Sequence, residues 1–320
     1  MTRRTLYFLA TTCALTVIQT VSAATNEFVT RTADGWYQYQ VPIAENAGSP
    51  CCQDRGTCAL TNSPRNLTIN KSLTSKNLVI YFKQGAQRVE DIVLAGEQCH
   101  VNTGNYQVKA LNNMSDHQSL DMLKAVSSHT DQHLAITAIA AIALHRAAEA
   151  TQILTDIAFD AQHRGQRDAI FWLGEAREQD GYPALRTIID TTTQPVAVRK
   201  HAVFALSLST HPEAKDTLKS LARAHPTQQI QKDAIFWYAE SQQQDSTSLL
   251  TDLTGPTYPQ SIQKEAVFGL SRLPSAQATQ ALIGLVRNTQ SKTVRKTALF
   301  WLGQSSDQKA HQFITEVLTR

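Results

Sequence analysis

The decapeptide "RKTALFWLGQ", Arg295–Gln304, has four near-copies upstream: "QRDAIFWLGE" from Gln166, "RKHAVFALSL" from Arg199, "QKDAIFWYAE" from Gln231 and "QKEAVFGLSR" from Gln263. Their phenylalanines, Phe171, Phe204, Phe236, Phe268 and Phe300, are spaced by 33, 32, 32 and 32 residues. Each follows an alanine by two positions and precedes a leucine or tyrosine by two. A degenerate earlier copy, "TAIAAIAL" with Ala138 and Ile142, fits the same frame. A fixed period of this length is the signature of a solenoid. Apolar residues recur at helical spacing both in the decapeptides and in the segments between them, such as "AKDTLKSLARAH" and "PSAQATQALIGLVRN". Pro195, Pro212, Pro226, Pro259 and Pro274 fall where one helix must stop and the next begin. A lone helical pair cannot bury its apolar stripe, so neighbouring pairs must stack. The Ala, Val, Ile and Leu positions need no role beyond that stacking.

The units "VRKHAVFALS" and "VRKTALFWLGQ" resemble the second helix of bacterial HEAT-type repeats, roughly Val-Arg-x-x-Ala-apolar-x-Ala-Leu. The resemblance covers about residues 118–320, some six copies, and implies an α-solenoid that works as a binding or scaffolding surface. The family's Asp before the Val-Arg pair is missing from "QPVAVR", "PTQQIQ", "YPQSIQ" and "QSKTVR", and Gln231 and Gln263 replace the arginine. The family's Asp–Arg turn ladder is therefore expected to be incomplete. The layout as a whole, with a "CC…C" segment and a strand ending in Cys before the repeats, resembles a group of exported bacterial HEAT-repeat proteins. That resemblance imports no activity.

The first half is different. "MTRRTLYFLATTCALTVIQTVSAATNEF" places two arginines before an apolar run and then small residues, the order of a secretory signal cleaved after Ala23. The apolar run is shorter than the roughly 20 residues that span a bilayer. Export to the periplasm or beyond is expected, with no membrane insertion once residues 1–23 are removed. Cys51, Cys52, Cys58 and Cys99 survive cleavage, and an even count in an exported chain points to two disulfides. Adjacent cysteines bond only in a strained ring, so Cys51–Cys52 is disfavoured. One bond would then close the short loop to Cys58 and the other reach Cys99. A thiol-based redox switch in the same four residues is the alternative reading.

Residues 24–116 mix β-branched and aromatic residues with alternation in "GWYQYQVPI" and "NLVIYFKQGAQRVEDIVLAG", which predicts strands with a turn at Lys83–Ala86. "LNNMSDHQSL" holds turn and cap formers, with Ser115 or Asp116 opening the first helix of residues 117–320. The expected class is α+β in two parts: a small disulfide-stapled β-rich module, then an all-α HEAT-like solenoid of about six helix pairs.

Charge excludes little. The net +3 falls by two if Arg3 and Arg4 are removed, so no bulk basicity argues for nucleic acid. Catalytic fingerprints and Gly-rich phosphate loops are missing from the sequence, and no catalytic, cofactor or metal residue is nominated. His129 and His133 flank Asp131 on one helical turn, a pattern that suits a polar helix start better than a metal pair without a third ligand.

Helical geometry distributes the repeated decapeptide. With the alanine at zero, the Trp three positions on and the Leu four on fall at about 300° and 40°, inside one apolar sector. Trp172, Trp237 and Trp301 are therefore expected in the core. Phe falls at about 200°, beside a basic residue at about 160°. Arg167, Phe171, Lys200, Phe204, Lys232, Phe236, Lys264, Phe268, Lys296 and Phe300 thus form a candidate partner-binding strip. Apolar rings beside cations suit an extended polypeptide of acidic character. A non-catalytic protein–protein scaffold of the cell envelope is the expected function; an enzyme-accessory or lyase-like role is a further alternative.

Overall fold

A computed structural model describes residues 33–45, 47–50, 57–60, 68–86 and 88–319. The expected signal at 1–23, Cys51, Cys52 and the Cys58 side chain lie outside the described residues.

A small sheet region comes first. Strand β1 (Gly35–Pro42) pairs antiparallel with β5 (Asn77–Gln84), which pairs antiparallel with β6 (Val89–Gly96). The other edge of β1 takes β8 (Val108–Ala110) in parallel, giving the order β6-β5-β1-β8. Two short ladders flank this sheet, β2 (Ser49–Pro50) with β4 (Ile69–Asn70) and β3 (Thr57–Ala59) with β7 (His100–Asn102). The β5–β6 turn begins at Gly85, two residues past the expected start at Lys83, because Lys83 and Gln84 still pair with β6; Gly85 N–H closes it on the Arg88 carbonyl at 2.9 Å.

Alternation divides the sheet's faces. Tyr39, Val41, Leu78, Ile80, Phe82, Ile92 and Leu94 point into the core that continues through the helices to Phe313, while Trp36, Val93, Ala95 and Val101 form a separate cluster on the far face. The Tyr39 hydroxyl meets Ser119 Oγ at 2.9 Å inside the join.

Thirteen helices follow among the described residues. The first, α1 (Asp116–Ser127), starts on a capping box in which Ser115 and Gln118 satisfy each other's backbone N–H groups. It makes the first pair with α2 (Gln132–Leu144); the later pairs are α3 (Glu149–Phe159) with α4 (Gln166–Glu175), α5 (Glu178–Asp190) with α6 (Val196–Leu208), α7 (Ala214–Arg223) with α8 (Gln228–Glu240), α9 (Ser246–Asp252) with α10 (Gln260–Ser271) and α11 (Ser275–Asn288) with α12 (Lys292–Gly303), and α13 (Gln308–Thr319) ends the array. Pro195, Pro259 and Pro274 occupy the residue before α6, α10 and α11, where a missing N–H costs nothing.

The even-numbered helices carry the phenylalanines and pack side by side in one continuous row; successive odd-numbered helices touch sparsely. Close approach in the even row is enforced at Gly174, where an added Cβ would lie 2.0 Å from the Ala205 carbonyl oxygen. The more tightly spaced row of a two-layer array lies on the inside of its bend. The phenylalanine helices are therefore the inner row.

The sheet closes the first pair of this array. Ala44 N–H donates to the Leu144 carbonyl and Arg146 N–H to the Pro42 carbonyl, both at 2.8 Å, and Ile43 bridges to His145. Arg177, buried, holds the same corner: its guanidinium donates to the carbonyls of His145 (2.6 Å) and Ala147 (3.3 Å) and to Thr151 Oγ1 (2.9 Å).

Candidate binding strip on the inner row

Alanines 169, 202, 234, 266 and 298 are all fully buried, as are the leucines or tyrosine four positions on. The tryptophans depart from expectation. Trp172 is buried at 8% exposure, but Trp237 and Trp301 are only half-buried and lean on the preceding repeat. A single-helix projection misses this because it places a side chain relative to its own helix, whereas the ring's neighbour here comes from the adjoining repeat.

The five phenylalanines are half-buried except Phe300, which is 57% exposed. Phe171 stacks on Phe204 with centroids 6.3 Å apart, and Phe236 on Phe268 at 6.0 Å. Phe204 contacts Trp237 at 4.5 Å, and Phe268 contacts Trp301 at 4.9 Å. Within each helix the Phe–Trp pair is edge-on at 4.8–5.1 Å. These contacts form one unbroken run of rings from Trp172 to Phe300, crossing five helices. Residues three past the alanine alternate Trp172, Ala205, Trp237, Gly269, Trp301, so each of the last two tryptophans reaches back across a small residue to a phenylalanine.

The basic row is brought alongside, with Arg167, Lys264 and Lys296 exposed and Lys200 and Lys232 half-exposed. It is not uniform. Lys200 is tied to Asp233 at 3.1 Å. Burial pushes the carboxyls of Asp168, Asp233 and Glu265 upward, and Lys200 and Lys232 pull the last two back. In the C-terminal part, Lys232, Lys264 and Lys296 line an open groove of about 770 Å³ with Phe268, Phe300 and Trp301. Glu265, Ser261 and Thr293 also border it. Sequence reasoning missed these three, although their fixed offsets from the repeated alanine made them countable.

A second repeated role was missed altogether. Three residues before each alanine stand Gln166, Arg199, Gln231, Gln263 and Arg295. Each donates to backbone carbonyls at or just past the end of the preceding helix: Gln166 to Ala158, Arg199 to Ile189, Gln231 to Ala222 and Arg223, Gln263 to Gly255 and Tyr258, Arg295 to Thr289. The Arg-to-Gln exchange keeps the donor, and no Asp ladder is required.

Elsewhere, Asp131 caps α2 through the His133 and Leu134 N–H groups, and His129 accepts from Asp131 N–H at 3.0 Å. His117, Asp121 and Glu149 meet on the surface, where the imidazole lies 3.4 Å from each carboxylate. No disulfide joins two described residues. Cys99 Sγ lies 3.4 Å from the Pro50 carbonyl oxygen and is engaged with a partner outside the described residues. No described helix is long and apolar enough to cross a membrane.

No family model and no curated protein matches the chain. Among solved structures it is similar to human deoxyhypusine hydroxylase in complex with glycerol, at 16% identity and a TM-score of 0.34, over 64% of this chain and 80% of that one. A likeness at that level carries no argument, and the helical array rests on its own contacts.

Proposed function

We propose that the protein is a non-catalytic scaffold of HEAT-repeat type that holds an extended polypeptide along its inner row. The observation that carries this reading is the run of rings from Phe171 to Phe300, partly exposed along its length beside a row of cations. Stacking would be served by burying those rings fully, whereas a contiguous, partly exposed apolar strip suits a partner. The carboxylates of Asp168, Asp233 and Glu265 interleave with the basic residues, which disfavours a phosphate backbone as occupant. The sheet, on this reading, closes the array's first pair rather than adding a second binding face.

Export remains part of the proposal, on the order of residues at 1–23. So does the stapling of the sheet region by Cys51, Cys52, Cys58 and Cys99. Pro50, against which the Cys99 sulphur lies, immediately precedes Cys51, which favours a bond from Cys99 to the 51–52 pair and leaves the other cysteine for Cys58. Thiol titration of the native protein is expected to find no reactive thiol among these four.

The scaffold reading is tested with a photo-crosslinking residue at position 300 in the full chain. Polypeptide crosslinks are expected there, and they should vanish in the Lys232→Glu/Lys264→Glu variant while its melting temperature holds. Unaltered crosslinking by that folded variant would overturn the strip.

A further inference from the structure

The strip's two ends differ in a way that specifies its occupant. Toward the N-terminal end Lys200 is held by Asp233. Toward the C-terminal end, no described carboxylate lies within ion-pair distance of Lys232, Lys264 or Lys296, and one acidic residue, Glu265, shares their groove. Three cations on successive inner-row helices face one carboxylate, so the groove selects negative charge.

Spacing selects the conformation. Lys232, Lys264 and Lys296 occupy the same place on α8, α10 and α12, which pack side by side. Packed helices lie about 8–10 Å apart, so equivalent positions on neighbouring helices are offset by about that distance. A β-extended ligand returns to one face every second residue, so its side chains on that face recur at about 6.6 Å and 13 Å, and neither spacing matches. A polyproline II chain has three residues per turn and about 3.1 Å per residue, so every third side chain faces the same way at about 9.3 Å. Its backbone makes no internal hydrogen bonds, which leaves its carbonyls free for the hydroxyls of Ser261 and Thr293 that border the groove. The rings of Phe268, Phe300 and Trp301 give the flat apolar contact on which such a chain rests.

Building on the strip as a polypeptide site, we propose that the groove across α8, α10 and α12 takes a polypeptide in the polyproline II conformation carrying a carboxylate at every third residue. The carboxylates lie over Lys232, Lys264 and Lys296, and the intervening residues lie on the rings.

The test is fluorescence anisotropy of the full chain with two labelled peptides of equal composition. One repeats Glu-Pro-Pro five times; the other places its five glutamates together before ten prolines. The repeating peptide is expected to bind about tenfold more tightly, since three exposed ion pairs are made together only in that register. Lys264→Glu should remove that preference. Lys219→Glu, whose lysine is paired with Asp245 on an outer-row helix, should leave it unchanged. Equal affinity for the two peptides overturns the proposal, and if Lys264→Glu still weakens both, the strip itself stands. Binding of neither peptide, with crosslinking at position 300 still sensitive to Lys232→Glu/Lys264→Glu, also overturns the proposed occupant and spares the strip.

Discussion

Phe204 and Trp237 belong to successive repeats, and their ring centroids lie 4.5 Å apart at a tilt of 41°. That contact joins the Phe171–Phe204 stack to the Phe236–Phe268 stack, so the aromatic run is continuous only because of it. In a solenoid, stability is close to a sum of repeat terms and nearest-neighbour interfaces. Trp237 contributes to one such interface.

Trp237→Ala is therefore expected to cost about 2–3 kcal/mol, somewhat below the range for a fully buried tryptophan. Phe300→Ala, at 57% exposure and with Trp301 as its ring neighbour, should stay within about 0.5 kcal/mol while weakening polypeptide capture. Urea unfolding of the two variants checks the contrast. Equal destabilisation would mean that Phe300 is structural.

Gln231 gives a second prediction. Its buried amide donates to the carbonyls of Ala222 (3.1 Å) and Arg223 (3.0 Å), closing the C-terminal end of α7. Gln231→Ala should cost about 1–3 kcal/mol, because buried acceptors are left without a donor. Gln231→Glu should cost more, since a carboxylate cannot donate and would face the negative end of a helix dipole. Gln231→Arg should be the mildest of the three, as Arg199 already makes the equivalent bond to the Ile189 carbonyl at 2.7 Å. Thermal melts of the three variants order these effects.

These two sites show where the sequence spoke and where it was silent. The period, the buried alanines and the joints at Pro195, Pro259 and Pro274 were legible because helical spacing and proline chemistry act within one helix. The β1 strand and the β5–β6 hairpin were legible from alternation. The positions of Trp237 and Trp301 were not, because their packing is decided by the adjoining repeat. The role of Gln231 was hidden for another reason: its acceptors are main-chain carbonyls, which leave no residue signature, and the donor changes type from Gln to Arg along the array. Strand β8 escaped notice because it pairs in parallel with β1 across most of the sheet region, and no short-range turn announces it.

Arg177 supports the third prediction. It is the buried cation at the corner where the sheet meets the array, and it bonds the His145 and Ala147 carbonyls and the Thr151 hydroxyl. Burial pulls its pKa below the usual arginine value, with Asp180 opposing, and the group remains charged. Arg177→Met should cost about 2–4 kcal/mol by orphaning these acceptors. Arg177→Lys should recover little, since an ammonium cannot span the three acceptors as the planar fork does. Hydrogen exchange should quicken at the Ala44 and Arg146 amides first and at α12 last. Uniform quickening along the chain would show that the corner is not the element affected.

The last prediction concerns acid. His145 is fully buried at the same corner, and burial pulls its pKa below the ordinary imidazole value, with Arg177 adding to the effect and Asp116 and Glu149 opposing it. Burial likewise lowers His201 and His225. In one of these the ring is also committed as an acceptor: His145 Nδ1 takes Ala147 N–H at 3.3 Å. A proton on that Nδ1 would set N–H against N–H. The unfolded chain binds these protons near pH 6.5 and the folded chain only at lower pH. Their contribution is thus complete above about pH 6.5 and is lost as pH falls through the depressed folded values. The raised carboxyls of Asp168, Asp233 and Glu265 act with the opposite sign, favouring the fold below their unfolded values near pH 4 and losing that contribution as pH rises through the raised ones. The histidines begin to titrate in the unfolded chain at about pH 6.5, above the ordinary carboxylate range, so the melting temperature should begin to drop as pH falls below that point. In His145→Gln the drop should be shallower, from a lower starting stability. An unchanged slope in that variant would remove His145 from the account and leave the acid response to His201 and His225.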